Sequence, residues 1–246
     1  MSEAFPIQSS LDTFIDGHLR IRQSRTGYRF SIDAPILASH AVPNKPGERI
    51  LDLGTGCGIM ALLTAFRYPD AHIVGVEIQA ELAVLARVNV EGNGFQSRIS
   101  IIEGDMLQLG AGELGPPMDM VMTNPPYRKP HSGRVNPQSQ RALARHEIAV
   151  SLEGLIQSMR RFLKTGGRGW MIYPVERLAE LMAGMRAHHL EPKYLRMIHS
   201  RRDVEAKRCL LKVIKAARPG LVTGPPLVIY NKEGAYTAEV AAMMRP

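Results

Sequence analysis

From Arg49 onward the chain alternates short β-branched and aliphatic runs with longer stretches whose apolar positions recur every three or four residues. Arg49–Leu53, His72–Glu77, Ile99–Glu103, Met118–Thr123 and Arg168–Tyr173 read as buried strands. Between them Gly58–Tyr68, Gln79–Glu91, Ser151–Leu163 and Glu176–His188 read as helices. Pro69 stops the first, Gly92-Asn93-Gly94 the second and Gly166-Gly167 the third. In the third, Leu152, Leu155, Ile156, Met159, Phe162 and Leu163 share one face. Strands separated by helices predict a doubly wound parallel sheet. Tyr194–His199 and Arg208–Lys215 have no helix between them, which predicts an antiparallel pair at one edge.

The first 48 residues read as an appendage, with a short strand at Leu19–Gln23 and a helix over Ile32–Ala41. That helix starts at Ser31 or Asp33 and carries Pro35 in its first turn. Residues 49–218 form the main α/β domain, and 219–246 add a strand at Leu227–Tyr230 and a helix at Tyr236–Met244 packed on it. One connection breaks the pattern. Arg128–Glu147 runs for twenty residues after the fourth strand, with two prolines, a glycine and Arg128, Lys129, Arg134, Arg141 and Arg145. A loop of that length is commonly functional. It leaves the carboxyl edge of the sheet, where open α/β folds bind ligands.

Charge sharpens the division. Residues 51–127 carry a net −6 and residues 128–218 a net +13, so the overall +8 belongs to the second half. Such an excess points to a polyanionic partner; a solvated basic face is the bland alternative. Apolar runs such as Ile59–Phe66 are too short to span a bilayer, and the N-terminus lacks a secretory pattern. Cys57 and Cys209 have neither a CxxC partner nor a metal-ligand cluster around them, so no metal, no membrane and a reduced, cytoplasmic setting are expected.

The first chemical motif is Asp52-Leu53-Gly54-Thr55-Gly56-Cys57-Gly58, on a strand-to-helix turn. Its glycines let a ligand approach the backbone, and the following helix offers free N–H groups to an anion. Glu77 ends the next strand, where a carboxylate can accept both hydrogen bonds of a ribose diol. Ile59 stands where the dinucleotide pattern G-x-G-x-x-G needs its third glycine, which speaks against a nicotinamide dehydrogenase. Asp52, just before the loop, suits an ammonium group and not a pyrophosphate. The loop resembles the first motif of class I methyltransferases, which implies their seven-stranded Rossmann-like fold and S-adenosylmethionine as cofactor. The resemblance extends to Glu103-Gly104-Asp105-Met106 and implies an adenine contact at Asp105. The expected cofactor set is thus Asp52, Gly54, Thr55, Gly56, Gly58, Glu77, Ile78, Asp105, Met106 and Asn124.

The second motif, Asn124-Pro125-Pro126-Tyr127, follows the fourth strand. A planar amino nitrogen is a poor nucleophile because its lone pair is delocalised. The Asn124 side-chain oxygen and the Pro125 carbonyl can accept its two N–H bonds and favour the pyramidal transition state. The prolines fix the backbone, and Tyr127 offers a stacking face worth about 1–3 kcal/mol. Asn124, Pro125 and Tyr127 are therefore the candidate catalytic residues. The tetrapeptide resembles that of N6-adenine and glutamine-N5 methyltransferases. Phe30-Ser31-Ile32-Asp33-Ala34-Pro35-Ile36-Leu37-Ala38, Leu227-Val228-Ile229-Tyr230 and Gly234-Ala235-Tyr236-Thr237 are similar to bacterial enzymes that methylate N6 of an adenine beside the anticodon of a valine tRNA. The expected substrate is then RNA, specifically tRNA, reached by Arg128, Lys129, Arg134, Arg141 and Arg145, with further contacts at Arg160, Arg161, Arg201 and Arg202 and no obligate protein partner. Protein-glutamine N5 and ribosomal guanine-N2 methylation remain alternatives, as does a catalytically dead RNA-binding fold.

Overall fold

The computed structural model describes residues 8–25, 29–125 and 151–245. Its main sheet has nine strands. Five form the parallel core that the pattern predicts, with a helix in every connection but β5 to β6: β3 (Arg49–Leu53), β4 (His72–Glu77), β5 (Ile99–Glu103), β6 (Met118–Thr123) and β7 (Leu163–Pro174). β8 (Leu190–His199) and β9 (Ala206–Lys215) follow, and the two-residue strands β10 (Val222–Thr223) and β11 (Leu227–Val228) both pair with β8. The order is β10-β8-β9-β7-β6-β3-β4-β5. Only the β7–β9 and β8–β9 ladders are antiparallel. The expected doubly wound sheet with an antiparallel C-terminal pair is therefore present, seven long strands carrying two short additions.

The order reverses between β3 and β6, which pair in parallel with Leu53 opposite Thr123. Chain direction diverges there, so the loops leaving the two strands bound one crevice. The Thr123 hydroxyl donates to Leu53 O at 2.9 Å and ties the two strand ends together.

Helices cover both faces. On one face α1 (Asp33–His40), α2 (Ile59–Arg67) and α3 (Ala80–Gly92) pack over Ile50, Met120, Met122, Ile172 and Leu210. On the other, α4 (Leu152–Phe162) and α5 (Leu178–Ala187) cover Leu51, Leu53, Val121, Met171 and Cys209. Because strand side chains alternate, Asp52, Asn124 and Arg208 belong to the α1–α3 face. α4 buries the predicted stripe of Leu152, Leu155, Ile156, Met159 and Phe162, each side chain contributing about 1.5–3 kcal/mol. Ser151 caps it by accepting the Gly154 N–H at 3.1 Å.

Several boundaries differ from the sequence pattern. The fifth strand begins at Leu163, directly after α4, and Gly166-Gly167 lie in an irregularity of that strand. A Cβ on Gly167 would stand 2.8 Å from the Lys164 carbonyl, so the close approach there needs glycine. Glu176–His188 divides into a 3₁₀ turn (Val175–Arg177) and α5. The sixth strand starts four residues early, at Leu190, and its ladder shifts at Pro192, which has no N–H to give. Leu19–Ser24 (β2) is paired with an unforeseen partner, Ser9–Phe14 (β1), in a separate hairpin. The last helix, α6, is only Ala238–Ala242.

The appendages are anchored by polar contacts. Buried Arg168 on β7 pairs with buried Glu48 and donates to Val42 O and Asn44 Oδ1 at 2.8 Å, fixing the segment before β3. Arg196 on β8 binds Glu239 of α6 at 2.7 Å and His40 of α1 at 3.0 Å. Among the described residues no helix is long and apolar enough to cross a membrane.

Candidate active site

The turn after β3 folds back on β4, with the Gly54 and Thr55 N–H groups donating to Val76 O at 2.9 and 3.0 Å. Gly54, Gly56 and Gly58 all have positive φ, at 73°, 59° and 86°, so any side chain there would be strained. Gly58 also packs on α3, where a Cβ would meet the Ala86 Cβ at 3.4 Å. It opens α2 without a side-chain cap, which leaves the first-turn donors of the helix turned toward the loop.

Asp52 is fully buried beneath this turn. Its Oδ2 accepts the Thr55 hydroxyl at 2.7 Å. Its Oδ1 accepts no hydrogen bond of normal length from any described residue. Burial pushes the Asp52 carboxyl up to about 7, the Glu77 carboxylate adds to this, and the Thr55 hydroxyl and Ala61 N–H oppose it. A sealed carboxylate with one unused oxygen is a place for a cationic donor.

Glu77 is also buried, and it braces the turn. Its Oε2 accepts the Gly56 N–H and its Oε1 the Gln79 N–H, both at 2.9 Å. Burial raises its pKa, and the N–H groups of Gln79, Gly56 and Ile78 hold it down again. Each oxygen keeps a second lone pair, so this bracing is compatible with a diol contact.

At the end of β5, Asp105 Oδ1 accepts the Leu107 N–H at 2.8 Å and caps its own turn. Half-buried Met106 reaches back over the glycine loop, where a Cβ on Gly54 would stand 4.0 Å from its Cε. Ser158 of α4 holds the Met106 carbonyl at 3.2 Å. Asp52, Gly54, Thr55, Gly56, Gly58, Glu77, Ile78, Asp105 and Met106 thus gather at the carboxyl ends of three adjacent strands.

Half-buried Asn124 and buried Pro125 follow β6 directly, beside Gly54 by virtue of the Leu53–Thr123 pairing. Pro126, Tyr127 and the basic residues Arg128, Lys129, Arg134, Arg141 and Arg145 lie outside the described residues. Of the other basic residues expected at RNA, exposed Arg201 and Arg202 sit on the β8–β9 turn at this same edge. Arg160 and Arg161 end α4 at the opposite edge, where Arg161 donates to Leu107 O and Leu109 O at 3.0 and 2.7 Å.

Two contacts were not foreseen. Asn89 of α3, 2% exposed, donates to Cys57 O and Arg22 O and accepts the Arg22 N–H, clamping the glycine turn to the N-terminal hairpin. Its trace in the sequence is a lone amide on the apolar stripe of Leu82, Leu85 and Ala86. The second, Asp33 with Arg208 at 3.7 Å, joins the first turn of α1 to β9. A separate cavity of about 740 Å³, lined by Phe14, Phe30, Ile32 and Tyr236 among others, touches none of the expected site residues. Burial pushes the Cys57 thiol up to about 12 and Cys209 to about 11, so neither is a ready nucleophile.

Comparison with known proteins speaks to the family of the chain. Residues 30–177 match the methyltransferase small domain family. The chain is 31% identical over 243 residues to a tRNA1(Val) (adenine(37)-N6)-methyltransferase of Porphyromonas gingivalis, covering 96% of this chain and 94% of that protein. A protein of the same name from Tolumonas auensis is 29% identical, with 95% and 89% covered. Among solved structures, a predicted O-methyltransferase from Agrobacterium tumefaciens superposes with a TM-score of 0.69 at 27% identity, over 86% of this chain and 94% of that one.

Proposed function

We infer, from a chain that belongs to the methyltransferase small domain family and is an S-adenosylmethionine-dependent N-methyltransferase, that its substrate is the N6 amino group of an adenine in tRNA, at position 37 as in its named relatives. The observation that carries this reading is the juxtaposition of Gly54 and Asn124 across the β3–β6 switch point.

The residues fit the cofactor. A turn that requires glycine at 54, 56 and 58 gives it room, and Asp52 Oδ1 lacks a partner of the kind an ammonium supplies. In this reading Asp52, Thr55 and the glycine turn hold its amino-acid end, Glu77 with Ile78 its ribose, and Asp105 with Met106 its adenine. When bound, it supplies a methyl group already activated on sulfur. The protein's part is to orient the acceptor. The Asn124 side-chain oxygen and the Pro125 carbonyl accept the two N–H bonds of the amino group and offset the positive charge that grows on nitrogen. Tyr127 stacks on the base, which leaves the RNA helix to reach the crevice.

The Agrobacterium relative is described as acting on oxygen. A hydroxyl acceptor needs a base to take its proton, and Asn124 is none. An amino group attacks first and loses its proton afterwards, which suits two neutral acceptors. The net +13 of residues 128–218 supports a nucleic acid over a protein glutamine, and a tRNA substrate sets the work in the cytoplasm. On this reading residues 1–48 and 219–246 are appendages of a catalytic domain at 49–218. Methyl-labelling of RNA from cells lacking the protein, with nucleoside mass spectrometry, tests it. Loss of N6-methyladenosine from one tRNA is expected; loss of methylglutamine from a protein, or no loss at all, would overturn it.

A further inference from the structure

We propose that Arg208, anchored by Asp33, is a phosphate clamp for the RNA strand that enters the crevice beside Asn124; this rests on the RNA reading above.

Position comes first. Thr123 pairs with Met171 and Pro174 with Arg208, so Arg208, the third residue of β9, lies at the edge where β6 ends, two positions beyond the level of Asn124. Asn124 and Arg208 both project on the α1–α3 face. Two strand spacings separate β6 from β9, about 10 Å. That is comparable with the span of a nucleotide from base to phosphate.

The side chain is prepared for this role. Its Nε is sealed from water and stands 3.7 Å from Asp33 Oδ2, while its Nη1 donates to Lys207 O at 3.1 Å. The side chain as a whole keeps 35% of its surface, against 13% for Asp33. A ligand that reaches the head must therefore meet the Nη nitrogens, the fork that grips phosphate oxygens. Burial pushes the Asp33 carboxyl up from its ordinary value, and the Arg208 guanidinium is the first influence opposing it. Exposed Lys207, beside it on β9, and exposed Arg201 and Arg202 on the preceding turn extend the positive edge outward. Asp203 and Glu205 are also exposed there, so the turn is not uniformly basic.

A plain structural tie between α1 and β9 makes different predictions. The test compares the full-length protein with Arg208→Ala, Arg208→Lys and Asp33→Asn. Read-outs are tRNA binding across salt concentrations, KM and kcat with tRNA, cofactor affinity and Tm. Loss of one phosphate contact lowers the slope of log K against log salt by about 0.7–0.9. Arg208→Ala is expected to show that drop, with KM for tRNA raised roughly tenfold (the cost of one charge-assisted bond), and with kcat, cofactor affinity and Tm little changed. Arg208→Lys keeps the salt slope but not the full affinity, and Asp33→Asn falls between. An unchanged slope and KM in Arg208→Ala overturns the clamp. So does a loss that follows Tm or cofactor affinity in all three variants, and so does a wild-type protein that binds no tRNA. Binding is read apart from methyl transfer. A protein that grips tRNA through Arg208 and methylates none would refute the activity and leave the clamp standing.

Discussion

Protonation of Asp52 gives a sharp test of the cofactor site. Its carboxyl is pushed up to about 7 by burial and by Glu77. The unfolded value is near 3.9, so the fold holds this proton more tightly by about three units, on the order of 4 kcal/mol. The contribution to stability is complete below about pH 4 and is lost as pH rises from there through 7. A cofactor ammonium placed against Oδ1 favours the ionised form and expels the proton. Well below pH 7 the site carries its proton and binding releases it; well above pH 7 there is none to release. Affinity then rises about tenfold per pH unit below 7 and levels off above it. Calorimetric titration in buffers of different ionisation enthalpy counts these protons directly. Asp52→Asn abolishes the release and gains stability at pH 8. The gain is less than 4 kcal/mol because the Thr55 bond is weakened, by about 1 kcal/mol. Wild-type binding at pH 6 with no proton release, or equal release in Asp52→Asn, would refute the placement of a cation at Asp52.

Three further outcomes are expected. Asn124→Ala loses about 2–4 kcal/mol of transition-state stabilisation by analogy with an oxyanion donor, roughly 30- to 1000-fold in kcat; wild-type turnover would sink the acceptor assignment. Arg168→Met strands Glu48 in the interior and costs about 3–5 kcal/mol, read as a drop in urea midpoint; the Glu48→Leu/Arg168→Met double variant should recover much of it. Asn89→Ala leaves the Cys57 and Arg22 carbonyls without their donor, at about 1–3 kcal/mol for each unmet group, and should weaken cofactor binding together with stability.

What was legible in the sequence was whatever depends on neighbours along the chain. Hydrophobic period and turn residues locate β3 to β6 within a residue or so, because β3, β4 and β6 are buried on both faces and β5, at the sheet edge, keeps a short apolar run between turn residues. The glycine turn and Asn124-Pro125 are local motifs, and the sheet order brings them together. Illegible features depend on distant partners. Asn89 needs Arg22, and Arg208 needs Asp33, 175 residues away. β1 escaped notice because four of the six residues of Ser9–Phe14 are polar and Leu11 is 51% exposed. Gly166-Gly167 were read as a stop signal because glycine ends helices; here α4 ends at Phe162, Gly166 takes a positive φ and Gly167 serves a close approach inside β7.

The charge asymmetry acquires a meaning from the sheet order. Residues 51–127, net −6, build β3 to β6, and residues 128–218, net +13, include β7 to β9. The boundary between them is the β6 end, where Asn124 stands. A cationic methyl donor and a polyanionic acceptor would thus approach from opposite sides, each toward the half of opposite sign. The two attractions differ in depth. Asp52 is fully buried and Glu77 nearly so, and buried charges are screened little by salt. Exposed Arg201, Arg202 and Lys207 would act on a phosphate backbone through counterion release. Cofactor affinity should therefore change less than about twofold between 50 and 200 mM salt, while tRNA affinity falls by orders of magnitude for six or more phosphate contacts. Paired titrations of one preparation decide it. A cofactor affinity as salt-sensitive as that for tRNA would show that the cation is held by surface charge and not by the carboxylate under the glycine turn.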